Sequence, residues 1–176
     1  MGLEEVIPLK SRSLANVFPL GRAIVGGVIG AVIMAMWAMM VAAVSGVGLW
    51  APVQLIAVVW YGPAAMMHVQ AGVVFAGLMT HMMMGAMLGT GLAVLFRVVP
   101  QMAASGARLL WGVGYGLIVW LVSQFVALPL VDPMMASHMA PWAFALGHMM
   151  FGLVAAAFLA RAAAPNVAHT TRTLAS

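Results

Sequence analysis

Two histidines carry most of the chemistry open to this sequence. His81 lies in the apolar run from Gly77 to Gly89, on the stripe Gly77, His81, Gly85, Gly89, and His148 opens a second His-Met-Met-x-Gly string that closes at Gly152. Polar groups in such surroundings need partners, and ionisable residues within a membrane default to functional candidates. Two imidazoles at one level on facing helices are the ligand set of a b-type haem, and small residues one turn away leave room for the macrocycle. On that reading His81 and His148 hold the haem iron, with Gly77, Gly85 and Gly152 supplying the room. Against it, haem propionates favour cationic or donor partners, and the side of the chain near these histidines offers only Trp50, Trp60, Tyr61, His68 and His138. The alternative at the same residues is a packing knot. In it His81 and His148 hydrogen-bond with Gln124 and with Thr80 or Ser123, and the knot registers the helices.

The 18 methionines raise a second chemistry, because thioethers and imidazoles suit Cu(I). Met79 and Met83 stand two residues from His81, about 200° round a helix, so they cannot share a site with it. An outer copper site from His68, His138, Met66, Met67, Met134 and Met135 is the coherent version. The competing explanation is adaptable methionine packing against lipid or a partner. Other chemistries lack their residues. With only three carboxylates, two of them near the N-terminus at Glu4 and Glu5, no acid–base pair serves hydrolysis or proton-coupled transport. The absence of cysteine excludes thiolate metal sites, iron–sulfur clusters and disulfides. These observations point away from an independent enzyme.

The elements that must position these residues are membrane helices. Of the 176 residues 65% are hydrophobic and 6% charged, too few charges for a soluble surface. Four apolar runs, Ala23 to Gly46, Ala71 to Phe96, Leu109 to Val131 and Pro141 to Ala160, reach the roughly 20 helical residues that cross a bilayer core. Strand alternation is absent, so the expected fold class is all-α, a four-helix polytopic bundle. The first run is too long for a signal-peptide core and no clean cleavage site closes it, so an uncleaved span is expected.

All seven basic residues fall on one side of that topology. Lys10, Arg12 and Arg22 precede the first span, Arg97 and Arg108 bracket the middle connection, and Arg161 and Arg172 follow the last. The positive-inside rule then places both termini in the cytoplasm, an N-in/C-in protein of a bacterial inner membrane. Orientation explains the basic balance, which is no argument for nucleic acid. Counting from these arginines at about 1.5 Å per residue, His81, His148 and Gln124 lie roughly 24, 20 and 24 Å from the cytoplasmic rim. The three polar groups are expected in one layer of the outer half.

Arg22-x3-Gly26-x3-Gly30 and Arg108-x3-Gly112-x3-Gly116 open the first and third spans, and Pro63-x4-His68 and Pro133-x4-His138 follow them. The chain therefore reads as two similar hairpins, repeat 1 over 22–97 and repeat 2 over 108–161, in one orientation. Small residues four apart make the packing seams. Residues 1–21 read as a cytoplasmic tail at the headgroups, and 162–176 as a disordered cytoplasmic tail. The first outer connection, with Trp50, Trp60 and Tyr61, is expected to carry a short interfacial helix over Gln54 to Trp60.

The run Trp50-x-Pro52-x-x-Leu55-Ile56-Ala57 after a Gly- and Met-rich span, followed by a His-Met span, resembles a group of small uncharacterised bacterial four-helix membrane proteins. The resemblance covers mainly the first hairpin and implies no activity. The expected role is a non-enzymatic auxiliary or anchor-like membrane subunit binding haem b between His81 and His148, or alternatively a copper-binding or translocating protein. Its expected partners are the lipid bilayer and a second copy or a larger membrane complex.

Overall fold

In the computed structural model, residues 20–104 and 106–160 are described, and they form helices and no strand. The two predicted tails lie outside the described residues, apart from residues 20 and 21, which are helical. Four helices are long and apolar enough to cross a membrane: α1 (Leu20–Val44), α3 (Ala71–Val98), α5 (Arg108–Val131) and α7 (Pro141–Ala160). Each is a long, predominantly apolar helix, the form in which a segment satisfies its backbone polar groups internally in lipid. Shorter helices fill the connections. They are α2 (Ala51–Tyr61) with a 3₁₀ turn, Gly62–Met66, then α4 (Pro100–Ala104) and α6 (Pro133–His138).

The four long helices form an open row, in the order α3, α1, α7, α5, with α1 and α7 in the middle. Glycines decide which faces meet. Where Gly27 of α1 meets Gly85 of α3, a Cβ on Gly85 would lie 2.5 Å from the Ala31 Cβ and 2.7 Å from the Gly27 oxygen. Gly112 and Gly116 of α5 abut Gly152 and the His148 carbonyl of α7 in the same manner. Backbone meets backbone at both seams, which yields the dispersion contact that holds helices together in lipid. The central seam is different: Gly26 and Gly30 of α1 receive the rings of Phe158 and Phe151 from α7. There Trp37 Nε1 donates to the Ala143 carbonyl at 2.9 Å, and Trp37 packs edge-on against Trp142.

The outer helices α3 and α5 have no comparable seam with each other. They are joined by one hydrogen bond, from the Tyr115 hydroxyl to the Leu88 carbonyl at 2.8 Å. Beyond it, away from the end bearing Arg22, Arg97 and Arg108, lies the cleft described below.

The α2 helix runs three residues longer at its start than the expected Gln54 to Trp60, because Pro52 suits the first turn of a helix. It buries Ala51, Val53, Leu55 and Ala57 against α3 and α1 and leaves Trp60 and Tyr61 exposed. Gln54 is buried in this small subdomain, where its Nε2 donates to the carbonyls of Ala65 and His68 at 2.8 and 3.2 Å.

Expected as a plain span, α5 widens into a π-helical turn at Ser123–Ala127. Pro129 is the cause. It lacks an N–H, and its ring collides with the carbonyl four residues back, at Phe125; a wider turn relieves the collision.

Candidate functional site

A cavity of about 220 Å³ occupies the gap between α3 and α5. Thr80, His81 and Met84 line it from α3 and Ser123, Leu128 and Val131 from α5, while Met34, Phe144, His148 and Phe151 of the two middle helices also line it. The structure thus brings His81 and His148 to one space from two helices, as their spacing from the arginines anticipates. Met79 and Met83 are exposed on the far face of α3, although Met84 reaches the cavity.

Neither histidine is free in its orientation. Nε2 of His81 lies 3.0 Å from the Ala31 carbonyl of α1, and Nδ1 of His148 lies 2.9 Å from the carbonyl of Phe144, one turn back on its own helix. A carbonyl only accepts, so in each case the facing nitrogen carries the hydrogen. In a neutral imidazole the other nitrogen is then a lone-pair acceptor. His148 therefore keeps Nε2 as an acceptor or ligand, and His81 keeps Nδ1. The Phe144 ring packs edge-on to His148 at 4.4 Å and fixes its plane further.

The expected knot of polar side chains is not what the hydrogen bonds build. Gln124 is buried, but its Nε2 donates to the Ala136 carbonyl at 3.1 Å, tying the π turn to α6. Thr80 Oγ1 accepts from Trp60 Nε1 at 2.8 Å, tying α3 to α2. The histidines and Gln124 each donate to a nearby backbone carbonyl, a partner already fixed by helix packing that costs no further side-chain ordering, and Thr80 accepts from a ring N–H.

The glycines expected to make room for a macrocycle serve the helix seams. Gly77 lies under the Val53 backbone of α2, and a Cβ there would be 2.8 Å from Val53 Cγ1. Gly152 is closed off by Gly112, and of the three only Gly85 touches the cavity, while also packing on Gly27. The free space is provided instead by the splay of α3 from α5.

Asp132, the one acid beyond Glu5, lines the same cavity and is 2% exposed. Its Oδ1 caps α6 by accepting from Met135 N at 3.0 Å, and Oδ2 has no protein partner. Gln124 Oε1 and Trp120 Nε1 are also buried and unpartnered, but neither residue lines the cavity. Of the residues that do line it, Asp132 offers Oδ2 and the two histidines offer their remaining ring nitrogens, all acceptors. Among the described residues no three of His, Asp and Glu come close enough together to hold a metal ion.

The predicted copper residues separate. Met135 lines the histidine cavity, Met67 and His68 are exposed, and the His68 carbonyl is engaged by Gln54. His138 and Met66 line a second cavity of about 220 Å³, bounded by α1, α2, α6 and α7, together with Met34 and Met139. No family model, curated protein or solved structure matches this chain.

Proposed function

We propose that this chain is a non-enzymatic, auxiliary or anchor-like subunit of a bacterial inner membrane that holds a ligand in the cavity between α3 and α5. The observation that carries the reading is the arrival of two orientation-locked histidines, His81 and His148, at one space that only a single tyrosine bond helps to close. Binding sites are typically apolar spaces with a few converging polar groups, and sites between the helices of a bundle are common. Both termini are assigned to the cytoplasm, in keeping with Arg22, Arg97 and Arg108 at one end of the bundle and the absence of Lys and Arg from 47–70 and 132–140.

A b-type haem is the ligand with the most specific requirements here. His148 meets them as placed, since a backbone carbonyl holds Nδ1–H and leaves Nε2 to the iron. His81 meets them only if it releases Ala31 or binds through Nδ1. The cavity is also below the roughly 300–1,000 Å³ of drug-sized ligand pockets, so a haem would require α3 and α5 to part further. The site as built favours a smaller hydrogen-bond-donating head whose apolar remainder lies in lipid.

An ancestral duplication is part of the proposal. Both hairpins close glycine on glycine and each carries one of the two histidines, whereas the tight α1–α7 seam has no counterpart between α3 and α5. Association with a second copy or a larger membrane complex also belongs to it. Half of the most apolar stretch of α7 is buried, against 17% for α3 and 11% for α5, which leaves the outer pair free for lipid or protein neighbours.

The test is what copurifies with the full chain in mild detergent. A small molecule retained by the wild type and lost in His148→Ala supports the reading. Sharp reduced-minus-oxidised visible bands lost in both His81→Ala and His148→Ala would identify that molecule as haem.

A further inference from the structure

We propose that the second cavity, at the end of the bundle away from Arg22, Arg97 and Arg108, is a binding site for a soft monovalent cation, Cu(I), held by His138 with the thioethers of Met34, Met66 and Met139. Met34 lines both cavities, but the inference does not require a ligand between α3 and α5.

The donor set selects the ion. No carboxylate lines this cavity, so a hard or divalent cation finds no compensating charge. Thioether sulfur is neutral and polarisable and prefers Cu(I), and imidazole completes such a set without adding charge. Among the lining polar groups, Trp37 has already committed its Nε1–H to Ala143.

The histidine is preset for a metal. The Met134 carbonyl lies 2.8 Å from His138 Nδ1, so that nitrogen carries the hydrogen and Nε2 keeps its lone pair. A backbone carbonyl behind Nδ1 is the usual outer-shell support of a metal-bound imidazole. Ser137 Oγ, 3.1 Å from the same nitrogen, donates to the carbonyls of Pro133 and Met134 and so leaves that assignment intact. His138 is exposed, which gives an ion a path in.

The sulfurs come from separate parts of the chain. Met34 belongs to α1, Met66 ends the 3₁₀ turn after α2, and Met139 follows α6. A methionine stripe on one helix is ordinary packing, but three methionines from three elements lining the pocket of a locked histidine is a different arrangement. Two of the three, Met66 and Met139, are only partly buried and can turn toward an ion.

The experiment is an anaerobic Cu(I) titration of the purified full chain against a chromophoric Cu(I) chelator, with ascorbate present. About one equivalent per chain is expected, with affinity falling at least about tenfold in His138→Ala and in the double variant Met66→Leu/Met139→Leu. The Leu variant keeps side-chain volume, so it reports on sulfur even if His138→Ala fails to fold. His68→Ala and Met83→Leu should bind as wild type, and Zn(II) in equal amount should not displace the copper. Folded wild type that yields all copper to the chelator overturns the proposal. So does copper retained undiminished by the double Leu variant, or copper lost with His81→Ala and His148→Ala in its place.

Discussion

Placing alanine at Gly116 tests whether the backbone seam between α5 and α7 holds His148 where it is. A Cβ at Gly116 would come within 2.8 Å of the His148 carbonyl carbon and 3.3 Å of the Met149 Cα, with the carbonyl oxygen nearer still. These are backbone atoms, and no flexible side chain can rotate away. Overpacking of this kind costs about 1–3 kcal/mol, and a rigid neighbour puts the cost near the top of that range. The better helix propensity of alanine returns about 1 kcal/mol at most. The net loss is about 2 kcal/mol, on the order of 30-fold in the folded-to-unfolded ratio. Gly114 on the same helix is the control, because a Cβ there meets nothing within 4 Å. Gly114→Ala should be neutral or slightly stabilising. The assay is the fraction of monodisperse protein left after heating in detergent, measured across a temperature series. Equal midpoints for the two variants would refute the close α5–α7 approach.

Tyr115→Phe removes the bond between α5 and α3, a loss of about 0.5–1.5 kcal/mol concentrated on that contact. Spin labels on the exposed positions Met87 and Ile118 should then show a broader and longer distance distribution, and an unchanged one would mean that this bond does not hold the cleft. Asp132→Ala removes the cap on Met135 N at about 0.5–2 kcal/mol, so amide exchange over Pro133–His138 should quicken, whereas Asn, itself a good cap, should restore slow exchange. Exchange in the Ala variant as slow as in the wild type would contradict the capping role.

The four long helices were legible because crossing lipid demands long uncharged runs, and that demand leaves little freedom of boundary. For α1 the start moves from the expected Ala23 only to Leu20. Partner choice was much less legible. Gly26 and Gly30, four apart, read as one seam and both face α7, but the contact with α3 is made by Gly27, outside that pattern, since neighbouring positions differ by about 100° round the helix. Gly77, expected beside a ligand one turn from His81, lies under α2, whose docking the pattern within α3 does not reveal. The His81 and His148 meeting could be read from their distance to the arginines. Which ring nitrogen each keeps free could not, because that follows from the carbonyls of Ala31 and Phe144 and not from residue type. Pro129 was the available signal for the π turn, and its isolation as the only acid past Glu5 was the signal for Asp132.

The central claim is that the space shared by His81 and His148 holds a ligand, and native mass spectrometry of the full chain released from gentle detergent tests it most directly, with the visible spectrum recorded on the same sample. The account predicts a defined adduct on the wild type that disappears in His148→Ala while the folded monomer mass persists, and persists also in His68→Ala. A folded wild type without an adduct, or an adduct that survives His148→Ala, would contradict it.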